Sequence, residues 1–248
     1  KTNMNKEAAI ILAAGKGSRK KKSGENKVAL PLGGKPMIRH GVELLMRLSF
    51  DPIVVVVGFG KESVVSALAG EKVVFADQVE QLGTAHAAQC GLEKVPEDRK
   101  DILIIQGDDS ASYTDKTITD LLKKHIETGA AITLLTLMLD KPAGLGRVVR
   151  DEDGRIKAIV EDKDASSEQR MIHEINPACY FFSAQFLRRY IQHVEESPVS
   201  KERYLTSLVG LAIKNHEKIA TVTVENMPWR GVNTPDELRE AEELLRRK

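Results

Sequence analysis

Residues 8–19 read Ala8-Ala9-Ile10-Ile11-Leu12-Ala13-Ala14-Gly15-Lys16-Gly17-Ser18-Arg19: an unbroken apolar run, then a glycine turn, then cations. An apolar run without alternation suits a strand covered on both faces, as in a parallel sheet. Similar short runs recur at 53–57, 73–76 and 102–105. Between them, apolar residues fall at helical spacing, at Met37, Ile38, Leu44, Leu45 and Leu48 behind Pro36, and again at Ile118, Leu121, Leu122 and Ile126. Proline is tolerated in a first helical turn, so Pro36 predicts a helix start. Strands alternating with helices predict βαβ units, that is, an α/β fold with a three-layer, Rossmann-like, mostly parallel sheet.

The pattern changes near Ala131. Stretches 132–139 and 156–161 are β-rich and flank the turn signal Asp151-Glu152-Asp153-Gly154, which predicts an antiparallel, β-rich inserted lobe. Helical spacing returns at 186–194 and 204–213, followed by a strand at 219–224. A last helix is expected from Pro235, with Thr234 and Glu237 at capping-box spacing ahead of Leu238, Ala241, Leu244 and Leu245.

The composition narrows the function classes. With 37 Lys plus Arg against 36 Asp plus Glu, there is no global electrostatic grip on nucleic acid or an anionic membrane. Apolar runs fall far short of the ~20 residues that a bilayer span needs, and no secretory leader is evident, so a soluble, cytoplasmic protein is expected. Cys90 and Cys179 form no Cys-x-x-Cys pair, and the six histidines show no zinc-binding spacing.

The glycine loop after the first run can bring amide hydrogens against a phosphate while Arg19 and Lys27 neutralise it. Position 20 is lysine where the dinucleotide fingerprint needs glycine, and the Walker pattern is absent, so those two nucleotide folds are disfavoured. Lys20, Lys21 and Lys22 read as a solvated run. The run 102–105 ends in Gln106-Gly107-Asp108-Asp109, placing carboxylates at the C-terminal tip of a buried strand, where ligands of open α/β sheets bind. Acids beside a phosphate loop call for a divalent cation between them, with magnesium the natural choice; turn or capping acids are the other reading. Gln78 and Gln81 precede Gly83 and Thr84: their amides suit the imide edge of uracil or thymine, or simply a solvated loop, and Thr84 is placed to cap a helix.

Leu12-Ala13-Ala14-Gly15-Lys16-Gly17-Ser18-Arg19, Lys27-Val28, Glu80-Gln81-Leu82-Gly83-Thr84, Gly107-Asp108, Gly144-Leu145-Gly146-Arg147, Val160-Glu161-Asp162-Lys163-Asp164-Ala165, Glu174-Ile175-Asn176 and Gly231-Val232-Asn233 occur in one order. This set resembles sugar-nucleotide pyrophosphorylases, most closely the uridyltransferase domain of the bacterial N-acetylglucosamine-1-phosphate uridyltransferases. The resemblance implies a nucleotidyltransferase domain over 4–248, a sugar-binding lobe roughly within 131–225, and no hexapeptide-repeat acyltransferase portion in these residues. It implies Mg2+-dependent synthesis of UDP-N-acetylglucosamine and pyrophosphate from UTP and N-acetylglucosamine 1-phosphate. Another sugar 1-phosphate or dTTP, or a catalytically silent regulator that binds a nucleotide sugar, remain the alternatives.

By the same resemblance Leu12, Ala13, Ala14, Gly15, Gly17, Gln78, Gln81, Gly83 and Thr84 would hold the nucleotide, and Arg19 and Lys27 would be catalytic on the triphosphate. Gly107, Gly146, Glu161 and Asn176 would face the sugar, and Asp108 and Asn233 would ligate magnesium. This chain departs from the family pattern at Gln106, at Asp109-Ser110 in place of an apolar pair, at Pro177-Ala178 in place of Thr-Gly, and at Trp229-Arg230. Asp109 is expected either to recruit a second ion or to repel phosphate.

Overall fold

The computed structural model describes residues 7–16, 24–140, 142, 144–225, 227–232 and 234–246. Gly17, Arg19 and Asn233, singled out above, lie outside the described residues. The chain divides into two compact units, one of residues 1–81, 87–117 and 228–248, the other of 82–86 and 118–227.

In the first unit, parallel strands run in the order β5 (Val74–Asp77), β4 (Ile53–Val57), β1 (Ala8–Ala13) and β6 (Asp101–Gln106). β1 and β4 are buried at every position, as their unalternating apolar sequences require. Each fully buried Leu, Ile or Val contributes about 1.5–3 kcal/mol relative to exposure, so these strands anchor the core. A short antiparallel pair, β2 (Pro31–Leu32) and β3 (Lys35–Pro36), leads into α1 (Met37–Arg47). Pro36 stands at the N-cap of α1, and Ile38, Val42 and Leu45 turn inward. α2 (Lys61–Ala67) follows β4, and α3 (Thr84–Leu92), of which residues 87–92 belong to this unit, follows β5. α3 packs so closely on the sheet that a β-carbon at Gly91 would lie 2.6 Å from Ile10 and 2.9 Å from Val56. At the end of the chain, α8 (Pro235–Arg246) starts as predicted, the Thr234 hydroxyl accepting the Glu237 amide hydrogen at 3.1 Å. Its Ala241 joins Leu32, Met37 and Val232 in a small core, with Leu238 and Leu245 packed against it.

In the second unit, β7 (Ile132–Met138) pairs along its length in parallel with β12 (Ile219–Val224). It also pairs antiparallel with two short strands, β11 (Tyr180–Ser183) near its start and β10 (Glu174–Asn176) near its end. β10 continues to β8 (Gly146–Arg150), and β8 pairs with β9 (Ile156–Val160), all antiparallel. The helices of this part of the chain are α4 (Asp115–Thr128), α5 (Ser167–Arg170), α6 (Ala184–Tyr190) and α7 (Ser207–Lys214).

The antiparallel excursion is present with a different partner. Across the 151–154 turn, β9 pairs with β8, whereas the 132–139 run became β7. The turn itself is built as read: Asp151 Oδ1 accepts the amides of Asp153 and Arg155, and Gly154 sits at φ 76°. β8 escaped the hydropathy pattern because Arg147 lies inside it, 2% exposed and paired with Asp162 at 3.1 Å. A buried arginine looks like surface in a hydropathy pattern. The 186–194 helical spacing splits into α6 and a 3-10 turn over Ile191–His193.

Candidate active site

The first unit gathers polar groups where β1 and β6 end. Gly107 N–H donates to Leu12 O at 3.0 Å, and Phe59 N–H to Ala14 O at 3.1 Å, so the two strand tips and the loop after β4 are held side by side. Leu12, Ala13 and Ala14 are buried, and Gly15 and Lys16 are exposed. The organiser of this loop is Asn26, 1% exposed, which the sequence reading did not select. Its Nδ2 donates to Ala13 O at 2.8 Å, to Phe59 O at 2.7 Å and to Gly15 O at 3.4 Å, while its Oδ1 accepts from Val28 N–H at 3.1 Å. The sequence signal was local: an asparagine opening a short turn satisfies nearby backbone groups. Lys27 is the next residue, and its ammonium pairs with Asp108 Oδ2. Both side chains remain partly open to solvent, at 25% and 16%.

Asp109 does not accompany Asp108. It is 3% exposed, and its Oδ2 accepts from the Tyr113 hydroxyl at 2.7 Å and from Trp229 Nε1 at 3.1 Å. Its other oxygen, Oδ1, has no hydrogen-bond partner. Burial, then the neighbouring Asp108 charge, pushes this carboxyl well above the usual carboxylate range. Asp109 is therefore a core acid, which corrects the expectation of a second acid acting on metal or phosphate.

Gln78, 3% exposed, lies at the end of β5, and Gln81 Nε2 reaches the Gln78 carbonyl at 3.5 Å. Gly83 and Thr84 belong to the second unit. Gly83 has φ 110°, and a β-carbon there would stand 2.5 Å from the Arg203 carbonyl oxygen, so only glycine fits. The helix α3 does begin at Thr84, whose hydroxyl accepts the Leu205 amide hydrogen at 2.8 Å instead of capping.

In the second unit, Gly146 and Asn176 are register partners on β8 and β10. Glu161 follows β9, and a β-carbon added to Gly146 would come within 3.6 Å of its Oε2. Its Oε1 accepts from the Thr206 hydroxyl at 2.7 Å. Burial pushes the Glu161 carboxyl up; the Thr206 hydrogen bond opposes this, and Asp164 and Glu202 add to it. Glu161, Asp164, Tyr204 and Thr206 line a cavity of about 440 Å³, in the usual range for a small-molecule site. Tyr204 and Thr206 were read from sequence only as a helix face. Gly146 and Asn176 are not among the lining residues, and Gly107 lies in the first unit.

Asn176 sits where pairing to β7 is interrupted between β10 and β11. Its Nδ2 donates to Leu135 O at 3.0 Å, and its Oδ1 accepts from Ala178 N–H at 3.1 Å and from the Tyr180 hydroxyl. The bend places Ala178, where the family has glycine, at φ 57°.

Asp108 offers a divalent ion a hard oxygen donor, whereas the Asp109 carboxylate is turned into the core. Among the described residues no group of three or more His, Cys, Asp and Glu could enclose an ion. Magnesium is commonly held by one or two carboxylates together with substrate phosphates, and Asp108 fits that manner of binding.

A mostly parallel α/β sheet with an acidic strand tip beside a glycine turn defines a class of nucleotide-handling protein. The nucleotidyl transferase family model matches residues 8–248, and the chain belongs to that family. It is 40% identical over 243 residues to the bifunctional protein GlmU of Caldicellulosiruptor saccharolyticus, covering 97% of this chain and 52% of that one. The corresponding protein of a Geobacillus species is 39% identical over 244 residues, covering 98% and 52%. The chain thus spans about half the length of these curated relatives. Among solved structures, a Bacillus anthracis protein described as a glucose-1-phosphate thymidylyltransferase, in complex with sucrose, shares the fold. The TM-score is 0.79, at 22% identity, over 97% of this chain and 95% of that one. Among the described residues no helix is long and apolar enough to cross a membrane.

Proposed function

We propose that this chain is a cytoplasmic sugar-1-phosphate nucleotidyltransferase that forms UDP-N-acetylglucosamine and pyrophosphate from UTP and N-acetylglucosamine 1-phosphate. The observation that carries the reading is the Lys27–Asp108 pair at the tip of β6, held beside the end of β1 by the Gly107 to Leu12 hydrogen bond. Leu12, Ala13, Ala14, Gly15, Gly17, Gln78, Gln81, Gly83 and Thr84 would hold the nucleotide. Gly146, Glu161 and Asn176 would orient the sugar, with Gly107 contributing at the strand tip.

The sugar-phosphate oxygen attacks the α-phosphorus of UTP in line, the bond to the β-phosphate oxygen breaks, and pyrophosphate departs. Positioning two anions and neutralising the charge that builds on the leaving group account for most of the acceleration in such transfers. Lys27 and Arg19 would carry that neutralisation. Glu161, with Oε1 engaged by Thr206, keeps acceptor capacity for sugar hydroxyls. Magnesium held by Asp108 and Asn233 would draw charge from the phosphate oxygens. No protein nucleophile is needed, and burial pushes the Cys90 thiol up, away from an activated state.

Pyrophosphate release is to be measured with UTP, dTTP, ATP and CTP against several sugar 1-phosphates, with and without magnesium. Magnesium-dependent release with UTP and N-acetylglucosamine 1-phosphate is expected. Preference for dTTP with glucose 1-phosphate would replace the substrate pair; Pro177-Ala178 next to Asn176 bears on how the substituent at the sugar's second carbon is met. Nucleotide binding without turnover for any pair would leave a silent regulator.

A further inference from the structure

Two departures from the family pattern, Asp109 and Trp229, stand 120 residues apart in sequence and are hydrogen-bonded to each other. The contact belongs to a wider lacing of the segment 228–232 onto the turn that follows β6. Arg230 N–H donates to Ser112 Oγ at 3.2 Å, and Val232 N–H donates to the Asp108 carbonyl at 3.2 Å. The indole is 7% exposed, and a β-carbon on Gly231 would touch it at 3.4 Å, so the segment folds around its own tryptophan. On its other side Arg230 pairs with Glu237 at 3.4 Å and Glu240 at 2.9 Å, both on α8. Tyr113 also holds the acid, its hydroxyl donating to the oxygen that receives the indole N–H.

We infer that Asp109 is a positioning residue: with Tyr113 and Trp229 it forms a buried clasp that keeps the 228–232 segment on the tip of β6. The backbone of Val232 is thereby kept on the Asp108 carbonyl. One carboxylate oxygen in this place accepts from two donors on different parts of the chain, which an apolar residue cannot do. The extra acid and the extra indole are then one adaptation. This inference rests on the reading of Asp108 and Asn233 as the magnesium ligands, because the clasp acts through them.

The test compares wild type, D109N, D109A and W229F with D108N in the full chain. Trp229 is the single tryptophan, so its fluorescence reports on the clasp without any turnover. D109A is expected to shift its emission to the red, and D109N to leave it close to wild type, since a carboxamide oxygen still accepts both hydrogens. The second readout is the magnesium concentration giving half-maximal turnover. Loss of a group that orients metal ligands commonly costs about 10- to 100-fold in metal affinity, so W229F and D109A are expected to raise this value about tenfold. The KM for the sugar phosphate should hold steady, and D109N should stay within about threefold of wild type.

Should D109A fail to fold, W229F still carries the comparison. D109N losing its magnesium response as fully as D108N would make Asp109 a ligand and overturn the inference. So would wild-type half-saturation in both W229F and D109A. Failure of wild type itself to turn over any nucleotide would count against the functional reading alone. Magnesium-dependent UTP binding by calorimetry then decides the clasp by the same ranking of variants.

Discussion

Asp108 and Glu161 occupy comparable places, each just past the C-terminal end of a strand, yet the chain serves them differently. Asp108, after β6, has an ammonium on it, from Lys27. Glu161, after β9, receives a hydroxyl from Thr206 and is pushed up by burial. On the proposed reading, the first carboxylate would exchange among full charges, as phosphates and cations require. The second would accept neutral hydrogen bonds, as sugar hydroxyls require. Charge pairing sets the one and desolvation the other.

The comparison breaks most sharply at the charged pair. D108N is expected to abolish magnesium-dependent pyrophosphate release while circular dichroism and thermal unfolding stay near wild type, because the side chain lies at the solvent edge of the strand tip. K27M should lower kcat by about 10²-fold, the usual scale for removing one charge-stabilising donor, with little change in the KM for the sugar phosphate. An effect confined to sugar affinity would contradict the assignment.

Next in size is E161Q. If Glu161 meets sugar hydroxyls, the KM for the sugar phosphate should rise by about tenfold, or roughly 1.4 kcal/mol, with the KM for UTP unmoved. Its stability signature has a defined sign. A carboxyl raised in the folded state stabilises below its unfolded value, and that contribution is lost as pH rises through the folded value. Wild type should therefore lose unfolding temperature from acid toward neutral pH in a way that E161Q does not. Equal slopes for the two proteins would remove burial as the governing difference between the carboxylates.

Smaller effects sharpen the picture around Asn176. A178G relieves a left-handed alanine at φ 57° and should stabilise the chain by about 0.5–1 kcal/mol in denaturant unfolding. A destabilised A178G would mean that the bend is set by Pro177 and that glycine merely loosens it. Arg150 holds Glu174 through two hydrogen bonds, Nε to Oε2 at 2.7 Å and NH2 to Oε1 at 2.6 Å. Burial pulls this carboxyl up, but Arg150 and Thr136 outweigh it and hold it below the usual range. Its contribution is present above the unfolded value and lost as pH falls through the folded one. R150M should remove that acid-side loss at a cost below about 1 kcal/mol, after solvent screening. Acid unfolding identical to wild type would show the pair to be incidental.

The first unit was legible because buried parallel strands write themselves as continuous apolar runs: 53–57 became β4 without adjustment, and 102–105 became the middle of β6. The second unit was less so. β8 hides a buried arginine, and β10 and β11 are too short to show a period, broken at the Asn176 bend. At the site, Asp108 announced itself by charge at a strand end, and Lys27 as a cation following the glycine turn. Asn26 did not, because an uncharged amide in a loop looks the same whether it faces water or four backbone groups. The inward turn of Asp109 was unreadable for another reason: its partner Trp229 is remote in sequence, and neither residue carries a local sign of the other.

The mutual neutralisation of Lys27 and Asp108 has a consequence for ligand choice. A lysine already satisfied by a carboxylate is a poor lure for weakly charged visitors; only a dense polyanion competes well enough to draw the ammonium away. If Lys27 meets the triphosphate as proposed, the pair would act as an entrance threshold against nucleosides and monophosphates that match the base but lack the charge. Removing Asp108 would lower that threshold, so uridine monophosphate should gain affinity in D108N while wild type ignores it.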